Sequence, residues 1–127
     1  METNKMINKL ELLWNTYLET TNINGLEELI DDDFIFFDEN GSLNKKEFID
    51  EYNFLNQIVS LNNVKEIVIN ESKNMIYSSV LIEVTQRLFN QQTKQIIRYT
   101  KIWQTKKTEF KVVLLQTTKM NVYYNNN

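Results

Sequence analysis

The segment DDDFIFFDENGSLNKKEFID, residues 31–50, places a carboxylate in line with the apolar face of a predicted strand. Side chains alternate across a strand, so Phe34, Phe36 and Asp38 share one face of it. A carboxylate in this position can act as a general base, pair with a buried cation, or end the strand in a turn. The residue types alone leave all three uses open.

The chain contains neither Cys nor His, and this limits the chemistry that it can support. There is no thiolate nucleophile, no cysteine-bound zinc and no Ser-His-Asp relay. Acid–base work therefore falls to Asp, Glu, Lys or Tyr. The consecutive acids Asp31, Asp32 and Asp33 have no second carboxylate cluster at a metal-liganding spacing, and acids at a helix end are usually solvated. We therefore predict no metal and no other cofactor.

Length and composition are those of one globular domain. The 127 residues are 42% hydrophobic and 24% charged, which is typical of a soluble protein. The net charge of -3 argues against non-specific nucleic-acid binding. No apolar run reaches the length of a membrane span, and METNKMINKL lacks the apolar region of a signal peptide. We expect one domain over residues 1–122, a frayed tail over 123–127, and a cytoplasmic location without nucleic-acid or membrane partners.

In the first third of the chain, the hydrophobic periodicity predicts two helices followed by one strand. Apolar residues at a spacing of three and four predict a helix over residues 5–20 and a short second helix over 25–33. The alternating segment 34–38 is the predicted strand, and Asn40-Gly41 predicts a turn after it.

A third helix and four long strands are predicted for the remainder. The helix covers residues 42–59, with Asn44 as its N-cap and Glu47 as the capping-box partner. From Val64 onward the hydrophobic period changes to two, which is typical of antiparallel hairpins. Helices first and strands afterwards indicate the α+β class. The predicted strands are 64–70, 75–89, 94–105 and 109–122.

This order of elements resembles the nuclear transport factor 2-like superfamily, in particular its SnoaL-like branch. The segments LEELIDDDFIFFDENGSLNKKEFI and RYTKIWQTKKTEFKVVLLQTT carry the resemblance, which extends over nearly the whole chain. It implies an α+β fold in which three N-terminal helices wrap a strongly curved antiparallel sheet into a cone with an internal pocket. It also implies frequent dimerisation through the outer face of the sheet.

The superfamily includes ketosteroid isomerases, and three positions compare with their catalytic residues. Asp38 matches the Asp that moves the proton, Trp14 falls where the isomerase has its oxyanion tyrosine, and Thr100 falls near its second, protonated Asp. Only the first of these three residue types is kept. The histidines of scytalone dehydratases have no counterpart, and no Asp-Arg-Asp set of the epoxide-hydrolase kind is present. The resemblance therefore leaves open whether the chain is an enzyme.

The family's strand register implies which side chains face the interior of the cone. In the strand IIRYTKIW it turns Arg98, Thr100 and Ile102 inward. The opposite face then consists of Tyr99, Lys101 and Trp103.

The predicted pocket has Asp38 at its mouth, and its expected lining residues are Trp14, Phe36, Tyr52, Arg98 and Thr100. An inward carboxylate among aromatic rings needs a partner. Arg98 or the indole N–H of Trp14 should therefore lie within hydrogen-bond reach of Asp38. An Asp38–Arg98 pair would either be structural or hold the carboxylate of a ligand.

Three functions are compatible with these features. We predict a small-molecule-binding protein without established chemistry, whose ligand is apolar or carries a carboxylate. One alternative is an isomerase, cyclase or hydrolase with Asp38 as general base. Another is an adaptor or immunity module that uses the outer face of the sheet. A homodimer through that face would explain its apolar residues, which are predicted to be Tyr77, Leu81, Tyr99, Trp103, Val113 and Leu115.

Overall fold

The computed structural model describes residues 2–55, 58–65, 67–88 and 90–120. Predictions for the tail 123–127 and for strand ends at Phe89 and Val122 lie outside these residues. No helix in the described part is long and apolar enough to cross a membrane. The elements are α1 (Glu2–Thr20), α2 (Ile23–Leu29), β1 (Ile30–Asp38), β2 (Gly41–Asn44), α3 (Lys45–Leu55), β3 (Ile58–Asn63), β4 (Val68–Ser72), β5 (Met75–Leu88), β6 (Gln91–Lys106) and β7 (Glu109–Lys119).

The strands form one curved sheet in the order β2-β1-β7-β6-β5-β3, with β4 also paired to β5. The predicted α+β class is confirmed. All described pairs are antiparallel except β1 and β7, which run parallel, so the sheet is mixed. A hairpin forces neighbouring strands to be antiparallel, but β1 and β7 are far apart in the chain and no short turn sets their direction.

The local signals around the first hairpin and α3 are confirmed. The hairpin pairs Asp38 with Gly41, and Gly41 adopts φ +135°, which an L-residue rarely accepts. The N–H of Glu47 donates to Asn44 Oδ1, and Glu47 Oε1 accepts from the N–H of Asn44, both at 2.9 Å. These two bonds satisfy N–H groups that the helix itself leaves unpaired, which fixes where α3 begins.

Several boundaries differ from the prediction, and the strand predicted to begin at residue 64 begins at Val68. Asp31 lies in β1 rather than at a helix end, and its buried carboxylate is paired with Lys106 at 2.9 Å. The predicted helix over 42–59 is divided into β2, α3 and β3. Strand pairing explains why β3 is not helical. It pairs with the edge of β5, and this pairing buries Leu61 of β3 in the core.

The predicted faces of β6 are reversed. Trp103, Lys101 and Tyr99 face the interior and are buried, whereas Arg98, Thr100 and Ile102 are half-buried on the outer face. The pairing of Ile102 with Tyr77 and of Arg98 with Leu81 gives the same result, because directly paired residues share a face. The physical reason is Glu11 of α1, which neutralises Lys101 and allows this charged face to be buried.

Candidate functional site

A small cavity lies between α1, α3 and the inner face of the sheet. Its volume is about 150 Å³. Apart from tyrosine and threonine hydroxyls and one indole N–H, its walls are apolar. They consist of Trp14, Leu18, Phe36, Phe48, Tyr52, Ile58, Ile97, Tyr99, Leu115 and Thr117.

A wider, open space of about 270 Å³, which we call the mouth, adjoins the cavity. Phe36, Phe48, Tyr52 and Ile58 line both spaces, so one molecule could occupy the two together. The remaining residues of the mouth are more polar and include two carboxylates. They are Asp38, Leu43, Glu51 and Gln86.

Phe48 of α3 holds the aromatic walls in place. Its ring centroid lies 5.2 Å from those of both Phe34 and Phe36, and 6.3 Å from that of Trp14. These separations are typical of favourable aromatic pairs. The start of α3, set by the capping box, therefore determines where this ring stands and how β1 and α1 meet around it.

One buried hydrogen-bond donor of the cavity wall has no partner among the described residues. The Trp14 side chain is 0% exposed and its Nε1–H is unpaired. A buried donor without an acceptor costs free energy, so such a wall favours an occupant that accepts hydrogen bonds. Burial raises the pKa of Tyr99 to about 12, so its hydroxyl is a neutral donor at pH 7.

Tyr52, by contrast, already has a partner. Its hydroxyl donates to the carbonyl oxygen of Leu18 and ties α3 to the last turn of α1. Burial raises the pKa of Tyr52, against the effect of a hydrogen bond with Thr21. The Tyr52 ring thus serves as a fixed part of the wall.

Behind this wall lies a buried ion pair that the sequence reading missed. Lys101 Nζ is 2.7 Å from Glu11 Oε1, and Glu11 Oε2 accepts from Ser78 Oγ at 2.6 Å and from Trp103 Nε1 at 2.8 Å. Burial raises the pKa of the Glu11 carboxyl, but the charge of Lys101 and the three hydrogen bonds outweigh this, and the net shift is downward. Glu11 is therefore charged inside the protein, where it pairs with Lys101.

The ion pair also sets the field at the inner end of the cavity. Lys101 Nζ lies 5.0 Å from the centroid of the Trp14 ring and 5.6 Å from that of Tyr99. A cation at these distances is attracted to aromatic faces. Two rings that line the cavity are thus in contact with the Lys101 ammonium, whose charge Glu11 compensates at 2.7 Å.

Asp38 lies at the mouth without either of its expected partners. Its Oδ1 accepts from the N–H of Asn40 at 2.8 Å, an Asx turn that closes the first hairpin. The predicted Asp38–Arg98 pair is wrong, because Arg98 lies on the outer face and donates to Ser79 Oγ at 3.0 Å. The structure thus brings Trp14, Phe36 and Tyr52 together and leaves Arg98 and Thr100 outside.

Sequence reasoning missed Phe48, Tyr99 and Thr117 in the cavity wall, Glu51 in the mouth, and the ion pair of Glu11 and Lys101. One signal was available for Glu11, since it falls in the buried stripe of α1 between Ile7 and Trp14. A carboxylate at a core position of a helix indicates that a buried donor or cation faces it. The only candidates with suitable positions were the charged residues of the long strands.

A larger groove on the surface does not have the character of a binding cavity. It measures about 500 Å³ and lies between α2 and the start of α3. Its Lys45 ammonium is already held by the carbonyl oxygens of Glu27 at 3.0 Å and Ile30 at 2.9 Å. Among the described residues, no three Asp or Glu side chains are grouped so that they could hold a metal ion.

Comparison with solved structures identifies the fold. An NTF2-like protein from Cytophaga hutchinsonii superimposes with a TM-score of 0.81 at 23% identity, over 94% of this chain and 100% of that one. The fold is that of the nuclear transport factor 2-like proteins. A superfamily member from Salmonella enterica serovar Typhimurium shares this fold with a TM-score of 0.83 at 11% identity, over 97% and 95% of the two chains.

The nuclear transport factor 2-like fold occurs with different ascribed functions among these structures. A protein from Streptomyces avermitilis to which a dehydratase activity is ascribed has a TM-score of 0.78 at 7% identity, over 93% of this chain and 96% of that one. No protein-family model and no curated protein matches the sequence. At these identities the likeness concerns the fold, and the SnoaL-like branch stays a prediction.

Proposed function

We propose that this protein binds a small molecule with an apolar ring in the aromatic cavity and performs no chemistry on it. The observation that carries the proposal is the buried, unpaired Trp14 Nε1–H in a wall made mainly of aromatic and aliphatic side chains. A protein gains nothing from leaving such a donor unpaired, whereas a bound acceptor would satisfy it. Binding sites with apolar walls and a few placed polar groups are typical for small ligands.

Indole N–H resonances test this proposal directly. The chain has two Trp residues, and only the N–H of Trp103 is already bonded, to Glu11 at 2.8 Å. Titration with a panel of single-ring compounds that carry a hydrogen-bond acceptor should shift the Trp14 resonance and leave that of Trp103 nearly unchanged. The proposal fails if no compound moves the Trp14 resonance at millimolar concentration.

A carboxylate-bearing ligand is less well supported than an apolar one. That prediction depended on Arg98 as the cation inside the cavity, and Arg98 lies on the outer face. Among the described lining residues of the cavity and its mouth there is no Lys or Arg.

Catalysis with Asp38 as general base is the second candidate function. One observation favours it: Asp38 Oδ1 is held by the Asn40 N–H, while Oδ2 has no hydrogen bond to any described residue. A fixed carboxylate with one open oxygen at the mouth of a ligand cavity has the arrangement that a base requires.

We also propose that the protein is a homodimer through the outer face of the sheet. Of the residues predicted for this face, Tyr99, Trp103 and Leu115 are buried inside the chain, but other apolar side chains take their place. An adaptor module would use the same surface for another protein. The exposed apolar residues of this face are Ile35, Phe37, Val68, Met75 and Tyr77.

A further inference from the structure

We infer that the ligand is a small aromatic amine, with its ring in the cavity and its protonated amine in the mouth beside Asp38 and Glu51. This inference rests on the proposed binding function and specifies the class of ligand. It follows from the different electrostatic character of the two ends of the site.

The mouth is an acidic environment. Asp38 and Glu51 both line it, and the third polar residue there, Gln86, is neutral. No Lys or Arg is among the described residues that line this space. Opposite charges attract and like charges repel over these short distances, so a protonated amine gains and a carboxylate loses free energy in the mouth.

The inner end carries no net charge. The Lys101 ammonium lies 5.0 and 5.6 Å from the ring centroids of Trp14 and Tyr99, and Glu11 Oε1 neutralises it at 2.7 Å. The unpaired Trp14 N–H and the Tyr99 hydroxyl are the hydrogen-bond donors of these two residues. A neutral acceptor such as a phenol oxygen is favoured there over a buried cation.

Size and aromatic content agree with a single substituted ring. A cavity of about 150 Å³ is comparable with cavities that bind benzene. The amine would then extend past Phe36, Phe48 and Tyr52, which form the boundary between cavity and mouth. Aromatic faces next to carboxylates stabilise ammonium groups.

Three ligands of nearly equal shape test the charge preference. Tyramine is a cation, tyrosol is its neutral alcohol analogue, and 4-hydroxyphenylacetate is the anion. Each would be titrated into the full chain at pH 7, with binding followed by the Trp14 indole resonance and by calorimetry. We expect tyramine to bind about threefold to tenfold more tightly than tyrosol, and the anion to bind least, as for charge pairs that are partly exposed.

Variants assign the preference to the mouth. Asp38→Asn and Glu51→Gln should each reduce the tyramine-to-tyrosol affinity ratio, and the double variant should bring it close to one without weakening tyrosol. Glu71→Gln is the matched control, because it removes one negative charge at an exposed position of β4 away from the mouth. It should leave the ratio unchanged.

The outcomes distinguish failure of this inference from failure of the proposed binding function. The inference is overturned if tyrosol or 4-hydroxyphenylacetate binds as tightly as tyramine, or if the ratio persists in the double variant. In both cases the binding function stands. If none of the three ligands nor any other single-ring acceptor shifts the Trp14 resonance, the binding function itself is refuted and the inference falls with it.

Discussion

Lys101 and Glu11 form an ion pair of 2.7 Å in the interior, where their side chains are 1% and 3% exposed. Every oxygen of the Glu11 carboxylate has a donor, with Lys101 on Oε1 and with Ser78 and Trp103 on Oε2. The pair joins α1 to the two central strands of the sheet. Because it also backs two rings of the cavity wall, it connects the stability of the fold with the electrostatics of the site.

Breaking this ion pair should destabilise the protein strongly. Glu11→Leu leaves the Lys101 charge buried without a counter-charge, and Lys101→Met does the same to Glu11. We expect each to lower the free energy of unfolding by about 3–5 kcal/mol. The double variant Glu11→Leu/Lys101→Met should lose much less than the sum, because an apolar pair leaves no buried charge. Urea unfolding of the four proteins measures the cycle.

An exposed pair of equal length provides the control. Lys46 and Asp50 are also 2.7 Å apart, but their side chains are 85% and 63% exposed. Asp50→Asn should cost no more than about 0.5 kcal/mol. Additive losses at Glu11 and Lys101 would contradict the interpretation that they act as one unit.

Acid should destabilise the protein through two carboxyl groups. A carboxyl whose pKa is lower in the folded state contributes stability above its ordinary pKa and loses it as the pH falls through the folded value. The pKa of Glu11 is lowered from 4.5, and the pKa of Asp31 is lowered from 3.8. Burial alone would raise the pKa of Asp31, but the hydrogen bonds from Lys106 and from the Asp33 N–H outweigh the effect of burial. The free energy of unfolding should therefore decrease below about pH 4.5.

Denaturant unfolding between pH 7 and pH 3 measures this dependence. The Glu11→Leu/Lys101→Met variant lacks the Glu11 contribution, so its stability should decrease less steeply over this range. Parallel curves for the wild type and the variant would show that Glu11 does not carry the effect.

The sequence predicts the fold class and several local features because these depend on nearby residues. The capping box of Asn44 and Glu47 and the turn at Asn40-Gly41 are determined within a few positions. The boundary of β3 depends instead on the edge of β5, to which it pairs, and the first two residues of β3 were predicted as the end of a helix.

The inward face of β6 could not be read from the strand itself. In the central segment IIRYTKIW each face carries one basic residue, Arg98 or Lys101, so alternation within this segment does not decide which face is buried. The decision lies with Glu11, which is 90 positions away from Lys101 in the chain. Tyr99 and Trp103 share a face of β6 with Lys101, and two aromatic residues favour burial of that face. The prediction instead followed the strand register implied by the family resemblance, which placed this face outward.

Filling the cavity should block binding without unfolding the protein. Thr117 lines the cavity, whereas its neighbour Thr118 is exposed on the opposite face of β7. Thr117→Leu adds volume to a space of about 150 Å³ and should weaken tyrosol binding at least about tenfold, the effect of roughly 1.4 kcal/mol. Thr118→Leu should bind normally. Equal affinities of the two variants, measured by calorimetry, would place the ligand elsewhere.

The outer face of the sheet should mediate dimerisation. Tyr77 is 42% exposed and Phe37 is 41% exposed, although large apolar side chains gain free energy when covered. Light scattering at tens of micromolar should give twice the mass of one chain, and the Tyr77→Lys/Phe37→Lys variant should give one. Leu12→Lys, at an exposed position of α1, should remain dimeric. A monomeric wild type would rule out the dimer and leave this face to another protein.

Asp38 should tolerate loss of its charge but not loss of its oxygen. Asp38→Asn keeps an acceptor for the Asn40 N–H, so we expect the free energy of unfolding to change by less than about 0.5 kcal/mol. Asp38→Ala removes that hydrogen bond and should cost about 0.5–1.5 kcal/mol. A loss of several kcal/mol in Asp38→Asn would instead indicate a buried charge pair.

The Asp38→Asn variant also separates binding from catalysis. Tyrosol should bind this variant as tightly as the wild type, because a neutral ligand does not depend on the charge of Asp38. If the wild type converts an activated substrate and Asp38→Asn binds but does not convert it, Asp38 is a base and the non-catalytic proposal is wrong.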